Sequence, residues 1–238
     1  MGDIRAILFD KDGTLIDFNA TWRPTYLAAA RDVFAGDETL AGRVLAATGM
    51  TDQGDFSPGS LLAAGSYAEI ADAWSEHLEG LTPEAALRRI TPLFEQGAIA
   101  NALPLVDLRR LFTVLRDLGF RIGVATNDTE ASARGTMARL TGDGAVDFVV
   151  GCDSGHGGKP APGMFLAFCD AVGISPAQVA MVGDNVHDLE MARRGGAGLK
   201  IGVLSGSAGR GVLEPHADHI VDDVDALPTL LAKSSGGS

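Results

Sequence analysis

Ile4-Arg5-Ala6-Ile7-Leu8-Phe9-Asp10-Lys11-Asp12-Gly13-Thr14-Leu15 is the stretch on which the fold turns. Its first six residues form a short, mostly apolar run, interrupted by Arg5. A strand buried in a parallel sheet has this composition. The run closes on Asp10, and Gly13 supplies a turn. Two further runs end in the same way. Residues 120–125 lead into Thr126-Asn127-Asp128, and residues 179–183 into Asp184-Asn185-Val186-His187-Asp188. Between them lies Lys159, in Gly155-His156-Gly157-Gly158-Lys159-Pro160. Ligands of open parallel sheets bind at the carboxyl ends of the strands. The spacing therefore predicts one crevice holding Asp10, Asp12, Asp184 and Asp188 with a hydroxyl and an ammonium.

Outward from these runs, the chain has two textures. From about Asn101 onward, apolar runs alternate with helical patterns. Leu105, Leu108, Leu111, Leu115 and Leu118 recur at helical spacing ahead of the strand at 120–126. Strands are expected at 146–150, 179–182, 199–204 and 220–221, and helices at 162–172, 186–194 and 225–232. This alternation argues for an α/β fold, a Rossmann-like doubly wound parallel sheet with helices on both faces. Residues 17–100 are different: Ala, Leu and charged residues dominate, with helices expected at 21–34, 38–47, 60–78 and 83–96 and a loop at 52–59. The predicted organisation is a core domain of residues 1–16 and 101–238, with an all-helical cap domain, 17–100, inserted after the first strand. An insert leaving the ligand end of that strand is expected to act as a lid.

The bulk numbers exclude several classes. The 238 residues are 46% hydrophobic and 21% charged, which suits a globular protein with a real core. A net charge of −12 and the lack of a basic stripe argue against nucleic acid and anionic membrane as partners. Small phosphates still fit, where metal and lysine reverse the sign locally. No stretch is long enough to span a bilayer. The first strand begins almost at once, leaving no room for a signal peptide, and Ala6 occupies the position where myristoylation wants Ser or Thr. Cys152 and Cys169 make no disulfide framework. A cytoplasmic protein, monomer or homodimer, is expected. The tail at 234–238 reads as flexible.

The chemistry follows from residue types. Phosphate monoesters hydrolyse so slowly that catalysis must supply up to roughly 10²¹-fold. A carboxylate nucleophile splits the reaction through an aspartyl-phosphate, while a second carboxyl protonates the leaving oxygen and then deprotonates water. Asp10 as nucleophile and Asp12 as acid/base fit this division. Asp184 and Asp188, four apart, share a face if the helix has begun. With Asp10 they offer the hard oxygen ligands Mg²⁺ prefers, and without a cation such a cluster repels itself. Thr126 and Asn127 stand where a hydroxyl and a backbone N–H hold a phosphoryl group. Other motifs fail. A calcium loop lacks its glutamate, since Thr21 is there. A nucleotide loop meets Asp153 and Pro160, and a dinucleotide fingerprint meets Ile201, at required positions. Cys152 and His156 have no second pair to complete a metal site, His187 reads as a surface residue of its helix, and His216 and His219 flank an expected edge strand.

In order and spacing, Asp-x-Asp-Gly-Thr-Leu at 10–15, Thr-Asn at 126–127, Lys-Pro at 159–160 and Gly-Asp-x-x-x-Asp at 183–188 resemble the haloacid dehalogenase-like (HAD) hydrolases. The likeness is to the phosphoglycolate phosphatase-like branch with a helical cap. It covers 1–16 and about 101–225, and the cap in position and helicity. The resemblance implies an Mg²⁺-dependent phosphomonoesterase acting on a small phosphorylated metabolite. Asp10 is then nucleophile and metal ligand, and Asp12 acid/base with its backbone carbonyl on Mg²⁺. Thr126 and Asn127 bind the phosphoryl group, Lys159 offsets charge on Asp10 and the phosphate, and Asp184 and Asp188 serve the metal. Lys11 stands where an apolar residue is commoner, a departure that touches no catalytic assignment.

Among rivals, the name-giving dehalogenases lack the second aspartate of the first motif and need no metal. A phosphomutase shares every core motif and differs in what discharges the aspartyl-phosphate. Phosphonate cleavage requires a cap lysine, and none occurs between Lys11 and Lys159. A non-enzymatic binding protein has no need of Asp10, Asp12 and Lys159 together. Substrate choice is expected from the insert, with Trp22 and Arg23 as candidates, Arg23 as a clamp for a carboxylate or second phosphate. Loops at 48–50 and 56–60 are further candidates. Phosphoglycolate is the first expectation, by resemblance.

Overall fold

The computed structural model describes residues 3–57 and 59–232. Residues 1–2, position 58 of the expected loop, and the Ser/Gly tail lie outside them. The chain divides into two compact units, Met1–Phe18 with Leu103–Ser238, and Asn19–Ala102. The sequence reading put these junctions at 16/17 and 100/101.

The first unit is built on six strands: β1 (Ala6–Phe9), β2 (Arg121–Ala125), β3 (Phe148–Val150), β4 (Val179–Gly183), β5 (Leu199–Val203) and β6 (His219–Val221). Their order is β3-β2-β1-β4-β5-β6, and every pair is parallel. The chain winds outward from β1 to β3, then returns to β4 on the other side of β1. Winding therefore reverses beside β1 and β4, where such sheets hold ligands. Phe9 pairs with both Val124 and Val182. Level strand ends follow, and Asp10, Thr126 and Asp184 leave the sheet at one edge. Every residue of β1 and β4 is buried, which explains their unbroken apolar composition.

The second unit is helical. It takes in most of α1 (Phe18–Val33), then α2 (Glu38–Thr48), α3 (Leu61–Ala64), α4 (Tyr67–Ser75) and α5 (Pro83–Asn101). Where one helix was expected over 60–78, there are two. Gly65 is extended, and Ser66 caps the new helix reciprocally with Glu69. The Ser66 N–H donates to Glu69 Oε2 at 2.7 Å and the Glu69 N–H to Ser66 Oγ at 3.3 Å. This capping box outcompetes helix continuation. Helix α5 runs past the expected end at 96 through Gly97, where a Cβ would lie 2.6 Å from Thr25 Cγ2 of α1. Glycine there permits a close helix approach. Trp22, Tyr26, Tyr67 and Phe94 pack as a stacked and edge-on aromatic cluster in this unit's core.

The sheet unit carries α6 (Leu108–Asp117), α7 (Glu130–Thr141), α8 (Gly163–Val172), α9 (Val186–Gly195), α10 (Arg210–Leu213) and α11 (Leu227–Ala232). Side chains alternate across the pleat. On one face Ala6, Leu8, Val179 and Met181 pack with Phe165, Phe168 and Met191 of α8 and α9. On the other, Phe9 meets Phe112 of α6 at 5.6 Å. The sheet is doubly wound, as its order requires. Sequence reasoning assigned no helix to 130–141. The buried residues there include Ser132, Ala133, Thr136 and Thr141, so the apolar period is faint. Among the described residues, no helix is long and apolar enough to cross a membrane.

Candidate active site

Asp10 extends β1 by one residue, its N–H bonded to the Val182 carbonyl at 2.8 Å. The chain then closes a tight turn. The N–H groups of Leu15 and Ile16 donate to the Lys11 carbonyl, and the Gly13 N–H to that of Ile16. Gly13 has φ +88°, in the left-handed region, and a Cβ there would press on Asp184 Oδ2 at 2.7 Å. Glycine is needed on both counts.

Three carboxylates meet beyond the strand ends. Asp10, Asp184 and Asp188 are all buried, and each offers an oxygen within 4.8 Å of the others. The i, i+4 argument for the last two does not hold, because Asn185 is the N-cap of α9 and Asp184, one residue past β4, precedes the helix. Asp188 instead caps back on the Asn185 N–H and lies over Gly183, where a Cβ would come within 2.4 Å of its own. Lys159 lies among them, its Nζ 2.5 Å from Asp10 Oδ1 and 2.7 Å from Asp188 Oδ1. Unlike most lysines in glycine-rich loops, it is buried.

The electrostatics are those of a site with too few cations. Burial, aided by Asp188 and opposed by Lys159, raises the Asp10 carboxyl to about 6. Burial, with Asp10 and Asp188, raises Asp184 to about 8, against hydrogen bonds from Ser207. Burial disfavours the charge on Lys159, but Asp10 and Asp188 outweigh it and hold its pKa above the lysine range. Asp10 and Asp188 share one ammonium and Asp184 lies beside them, so the three carboxylates, once ionised, outnumber it. Asp10 Oδ2 is also buried without a hydrogen-bond partner among the described residues. An unpaired buried carboxylate oxygen in such surroundings fits a hard divalent cation.

Asp12 sits beside this cluster. Thr126 Oγ1 approaches its Oδ2 at 3.4 Å, and Thr126 is itself buried, its N–H donating to the Val150 carbonyl at 3.1 Å. The Asn127 side chain accepts the Lys159 N–H at 2.8 Å, so it orients the lysine loop. The sequence reading had considered only its backbone. Two of its candidates lie in the helical unit. Trp22 is 3% exposed, within the aromatic core. Arg23 is exposed, its guanidinium over Gly54, where a Cβ would lie 2.3 Å from Arg23 Cζ.

Sequence reasoning missed two sets of residues. Lys11, fully buried, contacts Asp12 at 3.0 Å and Asp128 at 2.8 Å. Burial alone disfavours its charge, but the two aspartates raise its pKa beyond the usual lysine value. The loop after β5 supplies the second set. Ser207 gives Asp184 Oδ2 both its N–H at 2.7 Å and its hydroxyl at 3.0 Å, and Ser205 Oγ donates to the Gly13 carbonyl at 2.9 Å. The expected strand at 199–204 was the available signal, since its carboxyl end points to the same edge.

The family model for haloacid dehalogenase-like hydrolases matches residues 4–196. The phosphoglycolate phosphatase of Nitrosospira multiformis is 28% identical over 98% of this chain and 97% of its own length. The N-acetylmuramic acid 6-phosphate phosphatase of Pseudomonas aeruginosa is 24% identical, covering 93% and 95%. The crystal structure of a predicted phosphoglycolate phosphatase from Haemophilus somnus superposes with a TM-score of 0.71 at 17% identity, over 97% of this chain and 99% of that one. With the family model covering most of its length and the motif carboxylates gathered at the strand ends, the chain belongs to the haloacid dehalogenase-like hydrolases.

Proposed function

We propose that the protein is an Mg²⁺-dependent phosphomonoesterase that works through an aspartyl-phosphate on Asp10. The observation that carries this reading is the buried group Asp10, Asp184 and Asp188 with Lys159 bridging two of them. In this reading Asp10 attacks phosphorus, and the ester oxygen departs with its bonding pair and the Asp12 proton. Asp12 then takes a proton from the water that attacks the aspartyl-phosphate, releasing phosphate and restoring Asp10. Lys159 keeps Asp10 ionised and in place, Thr126 and Asn127 receive the phosphoryl oxygens, and Asn127 also fixes the Lys159 loop. Asp10, Asp184, Asp188 and the Asp12 backbone carbonyl would hold Mg²⁺. When bound, the cation neutralises the carboxylates and the charge of the phosphoryl group.

For the substrate, we assign choice to the helical insert acting as a cap, with a small phosphorylated carboxylic acid of the phosphoglycolate kind as the class. Both phosphatase relatives are named for phosphate esters that also carry an acid group. Arg23 is the insert's candidate for that carboxylate, while Trp22 supports it as core. A panel of small phosphate esters, with and without a carboxylate, tests both levels. Mg²⁺-dependent release of phosphate, lost with EDTA, is expected, along with a preference for carboxylate-bearing esters that Arg23→Ala removes. Release of phosphate that persists in Asp10→Asn would refute the nucleophile.

A further inference from the structure

Lys11 has no part in the reaction above, yet it is built into the site. Its Nζ lies 3.0 Å from Asp12 Oδ2, 3.2 Å from Asp12 Oδ1 and 2.8 Å from Asp128 Oδ2. Asp128 is held in turn. Ser132 Oγ donates to its Oδ2 at 2.5 Å, and the Thr129 N–H to its Oδ1 at 2.7 Å. Thr129 is the N-cap of α7, and Ser132 lies in the first turn of that helix. A line of bonds therefore runs from a helix end through Asp128 and Lys11 to the Asp12 carboxyl. The Asp128 and Lys11 side chains are 2% and 0% exposed, and only Asp12, at 15%, reaches the opening. Thr126 Oγ1, at 3.4 Å, is near the outer limit of a hydrogen bond, so the ammonium is the closer of these two contacts.

Stability does not explain this arrangement. Burying an ammonium and a carboxylate costs desolvation, and an apolar pair of the same volume is often at least as stable. What the ions add is direction, since an ammonium facing both Asp12 oxygens fixes where that carboxyl points.

We propose that Lys11 is a positioning residue: anchored on Asp128, it sets the Asp12 carboxyl for proton transfer to the leaving oxygen. The proposal rests on the reading of Asp12 as general acid. In that step a bond forms between Asp10 and phosphorus as the bond from phosphorus to the ester oxygen breaks. The ester oxygen keeps the electron pair and takes the Asp12 proton. The carboxylate left on Asp12 faces an ammonium already in place, so little has to reorganise. Being fully buried, Lys11 acts through Asp12 without touching substrate.

Leaving-group dependence separates this role from a structural one. Kinetics on 2,4-dinitrophenyl phosphate, which needs no acid, are compared with those on an alkyl phosphate, which does. The variants are Asp12→Asn, Lys11→Met, Lys11→Met with Asp128→Asn, and Ser132→Ala. The double variant removes the carboxylate that the single exchange would strand, and Ser132→Ala loosens Asp128 without altering charge. For the Lys11 variants, kcat/KM, which reports on departure of the ester oxygen and not on the later hydrolysis that both esters share, is expected to fall about 10- to 100-fold on the alkyl ester and by no more than about threefold on the dinitrophenyl ester. Ser132→Ala is expected to show a smaller split in the same sense. If Asp12→Asn shows the split and the others slow both esters equally, or neither, the role of Lys11 is overturned and the acid reading stands. Equal slowing of kcat/KM on both esters in Asp12→Asn overturns both.

Discussion

At the scale of single residues, the site is a problem of charge. Asp10, Asp184 and Asp188 crowd one another, only the first and last against an ammonium, and each is held by its own device. Lys159 holds Asp10, a capping box holds Asp188, and Ser207 holds Asp184. Asp10→Asn keeps the shape but removes the proposed nucleophile, so phosphatase turnover is expected to fall by at least about 10³-fold in steady-state assays. Ser207→Ala deletes the hydroxyl while leaving the backbone donor. The Mg²⁺ concentration for half-maximal activity is then expected to rise about tenfold, with kcat at saturation little changed, as is usual when a partner of a ligand is lost. Activity titrated with Mg²⁺ separates that result from a general loss. Asp10 and the residues gathered around it were legible in the sequence because motif order survives without coordinates. Lys11 and Asp128 were in view but not joined, because nothing in a sequence says that residues 117 apart form a buried pair.

At the scale of elements, local chemistry and packing compete. Strands β1 and β4 announced themselves because a strand buried on both faces must be apolar throughout. Helix α7 did not, because its buried face is small and polar. The break between α3 and α4 was written as Ser-x-x-Glu at 66–69, a local signal that a longer apolar pattern overrode in reading but not in folding. Ser66→Ala is expected to cost about 1 kcal/mol of stability, measured by urea denaturation. Gly97 gives a sharper test. Alanine is favoured over glycine inside a helix by about 1 kcal/mol. Against this, the new methyl would meet Thr25 at 2.6 Å, and overpacking of this kind costs about 1–3 kcal/mol. Packing is expected to win, so Gly97→Ala should lower the denaturation midpoint, whereas an open helix surface would raise it.

For the whole molecule, the buried carboxylates link stability to pH and to metal. Folding raises Asp10 to about 6 and Asp184 to about 8 from an ordinary value of 3.8. A raised carboxyl favours the folded state while protonated. Its contribution is full below the unfolded value and is lost as pH rises through the folded one. Metal-free protein is therefore expected to lose thermal stability between about pH 4 and pH 8. Mg²⁺ requires the deprotonated ligands, so the gain in Tm from saturating Mg²⁺ should grow over the same range. Thermal scans with EDTA or Mg²⁺ at several pH values check this, and a gain that shrinks with rising pH would contradict the carboxylate site.

The sequence by itself determined the class of fold and the family likeness, and it picked out the candidate residues of all four motifs. Those follow from local rules: apolar runs make buried strands, glycine makes the turn, and parallel strands put their ends together. Tertiary structure decided the rest. It showed that Asp184 and Asp188 converge through a strand end and a cap, not along one helix face. It brought Ser205 and Ser207 onto the turn and the carboxylate of distant segments. It also turned Lys11 from a departure at an apolar position into a buried charge between two aspartates. Each of these depends on which distant groups share one low-dielectric space, and only the packed chain fixes that.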